Sequence, residues 1–128
     1  PDIIHLHGWF TALFPLYLKT YYGDEQLFSE SKVISSIYKP DFEGVLSKNL
    51  QKKVAYDRID PQQLIDLQTA NYEALIKIAI SYSDGLIMSS ENLPEATVNQ
   101  IKQSKKPQLN YVDSTNEEVF IEFYSKFF

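Results

Sequence analysis

Apolar positions along the chain fall into four short runs separated by stretches with a helical rhythm. Ile3, Ile4 and Leu6 form the first run, and strand alternation places His5 and His7 on one shared face. Gly8 ends it. From Trp9 onward, Trp9, Leu13, Leu16, Tyr17, Leu18 and Tyr21 fit a helical stripe better than an alternating one. A helix is therefore expected from Trp9 to about Tyr22, closed by Gly23 and Asp24 with glycine as the permissive C-terminal residue. Lys32 to Tyr38 is rich in β-branched residues and predicts a second strand. Leu86 to Ser89 is continuously apolar, which suits a strand covered on both faces. Pro107 to Val112 offers a fourth.

The intervening segments carry helix punctuation. Asn71 to Tyr82 is the clearest helix, with Asn71 as cap, a stripe of Leu75, Ile76, Ala79 and Ile80, and a stop at Ser83, Asp84 and Gly85. Asn92, Pro94 and Glu95 have the grammar of a helix start, running to about Lys105 before Lys106 and Pro107 end it. Asn116 to about Lys126 is amphipathic through Val119, Phe120, Phe123 and Phe127. Asp60 and Pro61 open a short helix over Gln62 to Gln68. Val45 to Asp60 is the least legible stretch, with Ser47, Lys48 and Asn49 reading as a turn. The alternation implies right-handed crossovers and an α/β fold, a Rossmann-like open parallel sheet with helices on both faces. The four strands are expected at 2–7, 32–38, 85–89 and 108–112.

Composition narrows the class. At 128 residues and 44% hydrophobic, the chain fits one domain with a modest core. A net charge of -5 argues against a nucleic-acid partner. The one dense basic group, Lys102, Lys105 and Lys106, reads as the solvated end of a helix. The absence of cysteine excludes a disulfide frame and a thiolate metal site and is compatible with a cytoplasmic location. No apolar run approaches the roughly 18 residues of a membrane span, and no signal-peptide pattern is present, so no membrane partner is expected. The chain opens without Met, one residue before a strand, and reads as an internal piece of a longer protein, a single partial domain over 1–128.

Chemistry is expected at the carboxyl ends of the strands, where open parallel sheets bind ligands. His5 and His7 at i and i+2 have no third ligand by spacing, and hydrogen bonding of the imidazoles to neighbouring backbone is the favoured reading. Gly8 with the amides of Trp9 and Phe10 would form a helix amino terminus able to attract an anion. Neither a dinucleotide nor a P-loop fingerprint accompanies it, and no cofactor is implied. Trp9, the single Trp, reads as a core anchor before a sugar-stacking platform. No Ser-His-Asp set or paired catalytic carboxylates can be assembled.

The opening stretch PDIIHLHGWFTALFPLYLK resembles the segment of bacterial glycogen and starch synthases usually read as PD-V-V-H-x-H-D-W-H-(T/A)-G/A-L-x-P-x-Y-L. It agrees at Pro1, Asp2, His5, His7, Trp9, Leu13, Pro15, Tyr17 and Leu18. It departs at Gly8, where the family usually has Asp, and at Phe10, where it has His. Aligning Glu43-Gly44 with the family's Gln-Gly puts Phe42 on its Tyr and Tyr38 on the His that faces the transferred sugar. SDGLIMSSENLPEAT is similar to a third family segment, A-D-x-(V/I)-x-x-V-S-x-x-x-x-x-E-I.

Such enzymes are retaining glycosyltransferases of two Rossmann-like domains (the GT-B architecture). The resemblance therefore implies part of an amino-terminal catalytic domain, with a nucleotide-sugar donor (ADP- or UDP-glucose) and an α-1,4-glucan acceptor as partners of the whole enzyme. The carboxyl-terminal Rossmann domain that holds the nucleotide is not in this sequence, so the fragment alone is expected to be inactive. The implied substrate-binding positions are His7, Gly8, Trp9, Phe10, Glu43, Gly44 and Ser90, with Tyr38 in the catalytic position. Each has a plainer alternative: Glu43 a solvated loop carboxylate, Ser90 a helix cap, Tyr38 packing. A non-catalytic glucan-binding or regulatory relative with a degenerate site is the rival reading, and an unrelated flavodoxin-like binding domain a third.

Overall fold

The computed structural model describes residues 1–55 and 59–128. Strands β1 (Ile3–His7), β2 (Lys32–Ile37), β3 (Gly85–Met88) and β4 (Gln108–Leu109) pair in that spatial order, all parallel. Among the described residues the α-helices are α1 (Phe14–Thr20), α2 (Leu50–Val54), α3 (Tyr72–Tyr82), α4 (Glu95–Gln103) and α5 (Glu117–Ser125), with 3-10 segments at Trp9–Thr11 and Pro61–Thr69.

Alternation sorts strand side chains between the two sheet faces. On one face Ile37 and Leu86 pack with Ile76 and Ile80 of α3 and Ile101 of α4. On the other, Ile34 and Ile87 receive Phe123 of α5, which is 1% exposed. Leu75 and Ile78 of α3 also pack with Leu16 of α1 and with Leu64 and Leu67. Fully burying one such side chain contributes about 1.5–3 kcal/mol, so the helix-bearing faces carry most of the fold. The open parallel α/β sheet with helices on both faces is what the apolar pattern implied.

Several boundaries differ, each for a physical reason. The first helix does not run from Trp9: a 3-10 turn occupies Trp9–Thr11 and α1 starts at Phe14, with Pro15 in its first turn. Gly23 does not take a left-handed conformation; a Cβ there would meet the Lys19 carbonyl oxygen at 2.8 Å, so close approach explains the glycine. Asn71 caps α3 as expected, accepting from the Ala74 N–H at 2.9 Å. Asp60 opens its segment with a full capping box, but the segment is 3-10. Asn92 caps nothing in α4, whose N-cap is Pro94. The fourth strand is two residues long. Within the illegible stretch, Leu50–Val54 is helical after a turn closed from Leu50 N–H to the Ser47 carbonyl; residues 56–58 of it lie outside the described residues.

The lysine group is not uniformly solvated. Lys102 and Lys105 are exposed, but Lys106 Nζ donates to the carbonyls of Ile80, Ser81 and Ser83 at 2.6, 2.7 and 2.7 Å. It thus satisfies acceptors that the end of α3 leaves open. Burial lowers its pKa; Asp84 opposes this and Lys19 adds to it.

Candidate functional site

The carboxyl ends of β1, β2 and β3 converge on one rim. Gly8 turns the chain out of β1, its N–H donating to the Ser36 carbonyl at 3.2 Å. Its φ of 80° and ψ of 169° lie in a region essentially confined to glycine. A Cβ on Gly8 would also meet Phe10 Cε1 at 3.0 Å. With the Gly8 N–H committed to Ser36 and a turn of only three residues following, the helix amino terminus expected at Gly8 does not form.

Trp9 is half-buried. Its ring lies 4.4 Å from that of Phe42 and its Nε1–H donates to Asp41 Oδ1. It is therefore both anchor and wall: it packs against the core beside α3 and lines the rim. Phe10 stands 75% exposed beside it. The Tyr38 hydroxyl hydrogen-bonds His7 Nδ1 at 3.0 Å, while its carbonyl accepts from the Tyr72 hydroxyl, whose pKa burial pushes up to about 12. The Ser90 hydroxyl accepts from the Lys39 N–H at 2.9 Å, which ties the end of β3 to that of β2, and α4 has Pro94 as its N-cap with no side-chain cap bond.

These residues enclose a cleft of about 440 Å³ lined by His7, Gly8, Trp9, Phe10, Tyr38, Lys39, Pro40, Asp41 and Ser90. Six of the eight positions expected from sequence thus meet in one place. Glu43 and Gly44 do not line it; Gly44, at φ 80°, has open space where a Cβ would point. Asp41, the partner of Trp9, was not foreseen, since a lone loop carboxylate carries no signal of its own. Among the described residues no group of three His, Asp or Glu could hold a metal.

A second cleft of about 370 Å³ adjoins it across the His7–Tyr38 pair, lined also by His5, Ser36, Ser89, Phe120 and residues 111–114. His5 is held at both ring nitrogens, by Ser36 Oγ at Nε2 and by the Tyr124 hydroxyl at Nδ1, each at 2.7 Å. Burial first, and the neighbouring His7 second, lower its pKa from 6.5 to about 4. The histidines do hydrogen-bond their surroundings, but through the side-chain hydroxyls of Ser36, Tyr38 and Tyr124 and not, as expected, through neighbouring backbone.

Residues 1–104 match the family model described as the starch synthase catalytic domain. The chain belongs to that family. It is 32% identical over 94 residues to a glycogen synthase of Clostridioides difficile, covering 70% of this chain and 19% of that protein. To a glycogen synthase of Photobacterium profundum it is 27% identical over 100 residues, 72% of this chain and 18% of the other. A shorter match, 44% over 45 residues, links it to a glycogen synthase of Thermotoga petrophila, covering 35% of this chain and 9% of that protein. The chain spans about a fifth or less of the length of these relatives. No solved structure matches it significantly. In this starch synthase family member, no helix among the described residues is long and apolar enough to cross a membrane.

Proposed function

We propose that the chain forms one wall of the active-site cleft of a retaining glycosyltransferase, which transfers glucose from ADP- or UDP-glucose to the non-reducing end of an α-1,4-glucan. The observation that carries this is the meeting of His7, Trp9, Tyr38 and Ser90 from three strand ends on one cleft in a member of the starch synthase family. Aromatic walls with a few placed polar groups are what a sugar site needs. Tyr38 keeps a hydroxyl that can donate or accept one hydrogen bond, here toward His7. Its role is binding and orientation.

Catalysis of this type depends on preorganised charge across a closed cleft. The 128 residues supply one side of it, so the chain by itself binds glucan without transferring glucose. Trp9 is the single Trp and lines the cleft, so its fluorescence reports occupancy directly. Titration with maltoheptaose should give a saturable change, and Tyr38→Phe should weaken it by about 0.5–1.5 kcal/mol, the net value of one hydrogen bond. A flat titration to millimolar concentrations sinks the proposal. Labelled glucose entering glycogen above a no-protein control would refute the inactivity of the isolated chain.

A second reading, a glucan-binding relative without turnover, is favoured by Gly8 and Phe10. The glycine-only backbone at Gly8 bars the carboxylate usual there, and Phe10 presents an exposed apolar ring where the family has an imidazole. Glucan binding by the full-length parent without glucose incorporation would select this reading.

A further inference from the structure

We infer that α5 is a positioning element of the cleft: Tyr124, acting through His5, fixes the ring of His7. As a statement about glucan binding this rests on the function proposed above. Alternation along β1 sets His5 and His7 side by side on the face that α5 covers. Their ring centroids are 4.1 Å apart and their planes inclined by 31°.

A neutral imidazole offers one donor and one acceptor nitrogen. Both nitrogens of His5 are engaged, one by Ser36 of β2 and the other by Tyr124 of α5, and hydroxyls can serve either tautomer. His5 is therefore a plate fixed from two sides, with no nitrogen left for a ligand. His7 leans on that plate and is exposed. Its Nδ1 is taken by Tyr38, which leaves Nε2 as the ring atom able to meet a bound hydroxyl. Rotating His5 would remove the surface against which His7 is set. The lowered pKa of His5 keeps the plate uncharged at neutral pH, so the stack is free of cation–cation repulsion.

What holds Tyr124 in place is independent of the histidines. Phe123, its neighbour, is buried against Ile34 and Ile87, and Phe127 closes on Gly85 so tightly that a Cβ there would collide with its ring. Both lie in residues 105–128, outside the part of the chain that matches the family model. The apolar anchoring of α5 would be complete without a phenol at position 124. The hydroxyl adds a polar tether to the cleft side of β1.

Tyr124→Phe keeps the ring and removes the tether. With two histidines in the chain, ¹⁵N long-range correlation spectra resolve both imidazoles. The expected result is an unchanged far-UV circular dichroism spectrum, displaced ring resonances for His5 and for His7, and maltoheptaose affinity lower by roughly three- to tenfold, as for one lost hydrogen bond. Displaced His5 resonances with His7 unmoved would overturn the inference, showing that Tyr124 serves α5 alone. Should Tyr124→Phe fail to fold, Ser36→Ala cuts the opposite tether and is read by the same His7 resonances. If the wild-type chain binds no maltoheptaose, the glucan reading fails, while the His7 resonances still decide the positioning role.

Discussion

Replacing Lys106 by methionine tests whether an ammonium can serve as the end-cap of a helix in this fold. The side chain reaches three carbonyls at 2.6–2.7 Å where α3 turns into β3. Hydrogen bonds to a charged group are worth about 1.5–3 kcal/mol each when nothing replaces them. Here water can replace part of that, because Lys106 is half-buried, and removing the charge relieves the desolvation that lowers its pKa. Lys106→Met keeps the apolar stem, so the expected net loss is about 2 kcal/mol. In urea this is a midpoint lower by about 1 M with an unchanged slope, or a Tm lower by roughly 6–10 °C. Lys105→Met, on an exposed neighbour, should stay within about 0.5 kcal/mol. A Lys106→Met midpoint equal to or above wild type would refute the reasoning, because desolvation would then outweigh the three bonds.

Further outcomes follow from single positions. Lys105 has a φ of 56° just past α4, so Lys105→Gly should raise stability by about 0.5–1 kcal/mol; a lower midpoint would show that the left-handed conformation is not strained. His5 protonates near 4 in the folded chain and near 6.5 when unfolded, so the unfolded state binds the proton more readily and stability falls as pH drops from 6.5 to about 4. The ceiling on that loss is about 3.4 kcal/mol, and for a ring only partly buried about 1–2 is expected; an identical pH profile in His5→Asn would refute the assignment. Gly85→Ala drives a methyl into Phe127 and should cost about 1–3 kcal/mol by overpacking, seen as a lower urea midpoint with weakened protection of α5 amides in hydrogen exchange. Unchanged protection there would show that Phe127 does not anchor the helix.

Strands and the better capped helices were legible because their signals are local. β-branched runs mark β2, and Asn71 marks α3 within a few residues. The start of α1 was misplaced although a signal existed: Pro15 belongs in a first turn, but the apolar stripe beginning at Trp9 matched helix and 3-10 turn alike. Contacts between distant segments left no local trace. Tyr124 meets His5 across 119 positions, and Lys106 meets Ile80 across 26. In the cleft, six of the positions implied by the resemblance come together because the ends of β1, β2 and β3 share one rim. Glu43 and Gly44 were aligned by sequence order alone, and the loop carries them away from it.

The backbone at Gly8 and the ring of Phe10 also couple the two positions. Where the resembled pattern has Asp and His, this chain has a glycine-only turn and a phenyl group whose edge lies 3.0 Å from where a Cβ at position 8 would stand. Reinstating Asp alone meets an unfavourable backbone and requires the exposed Phe10 ring to give way. Restoring the two residues one at a time should therefore understate what the pair recovers. A double-mutant cycle over positions 8 and 10 would read that non-additivity directly.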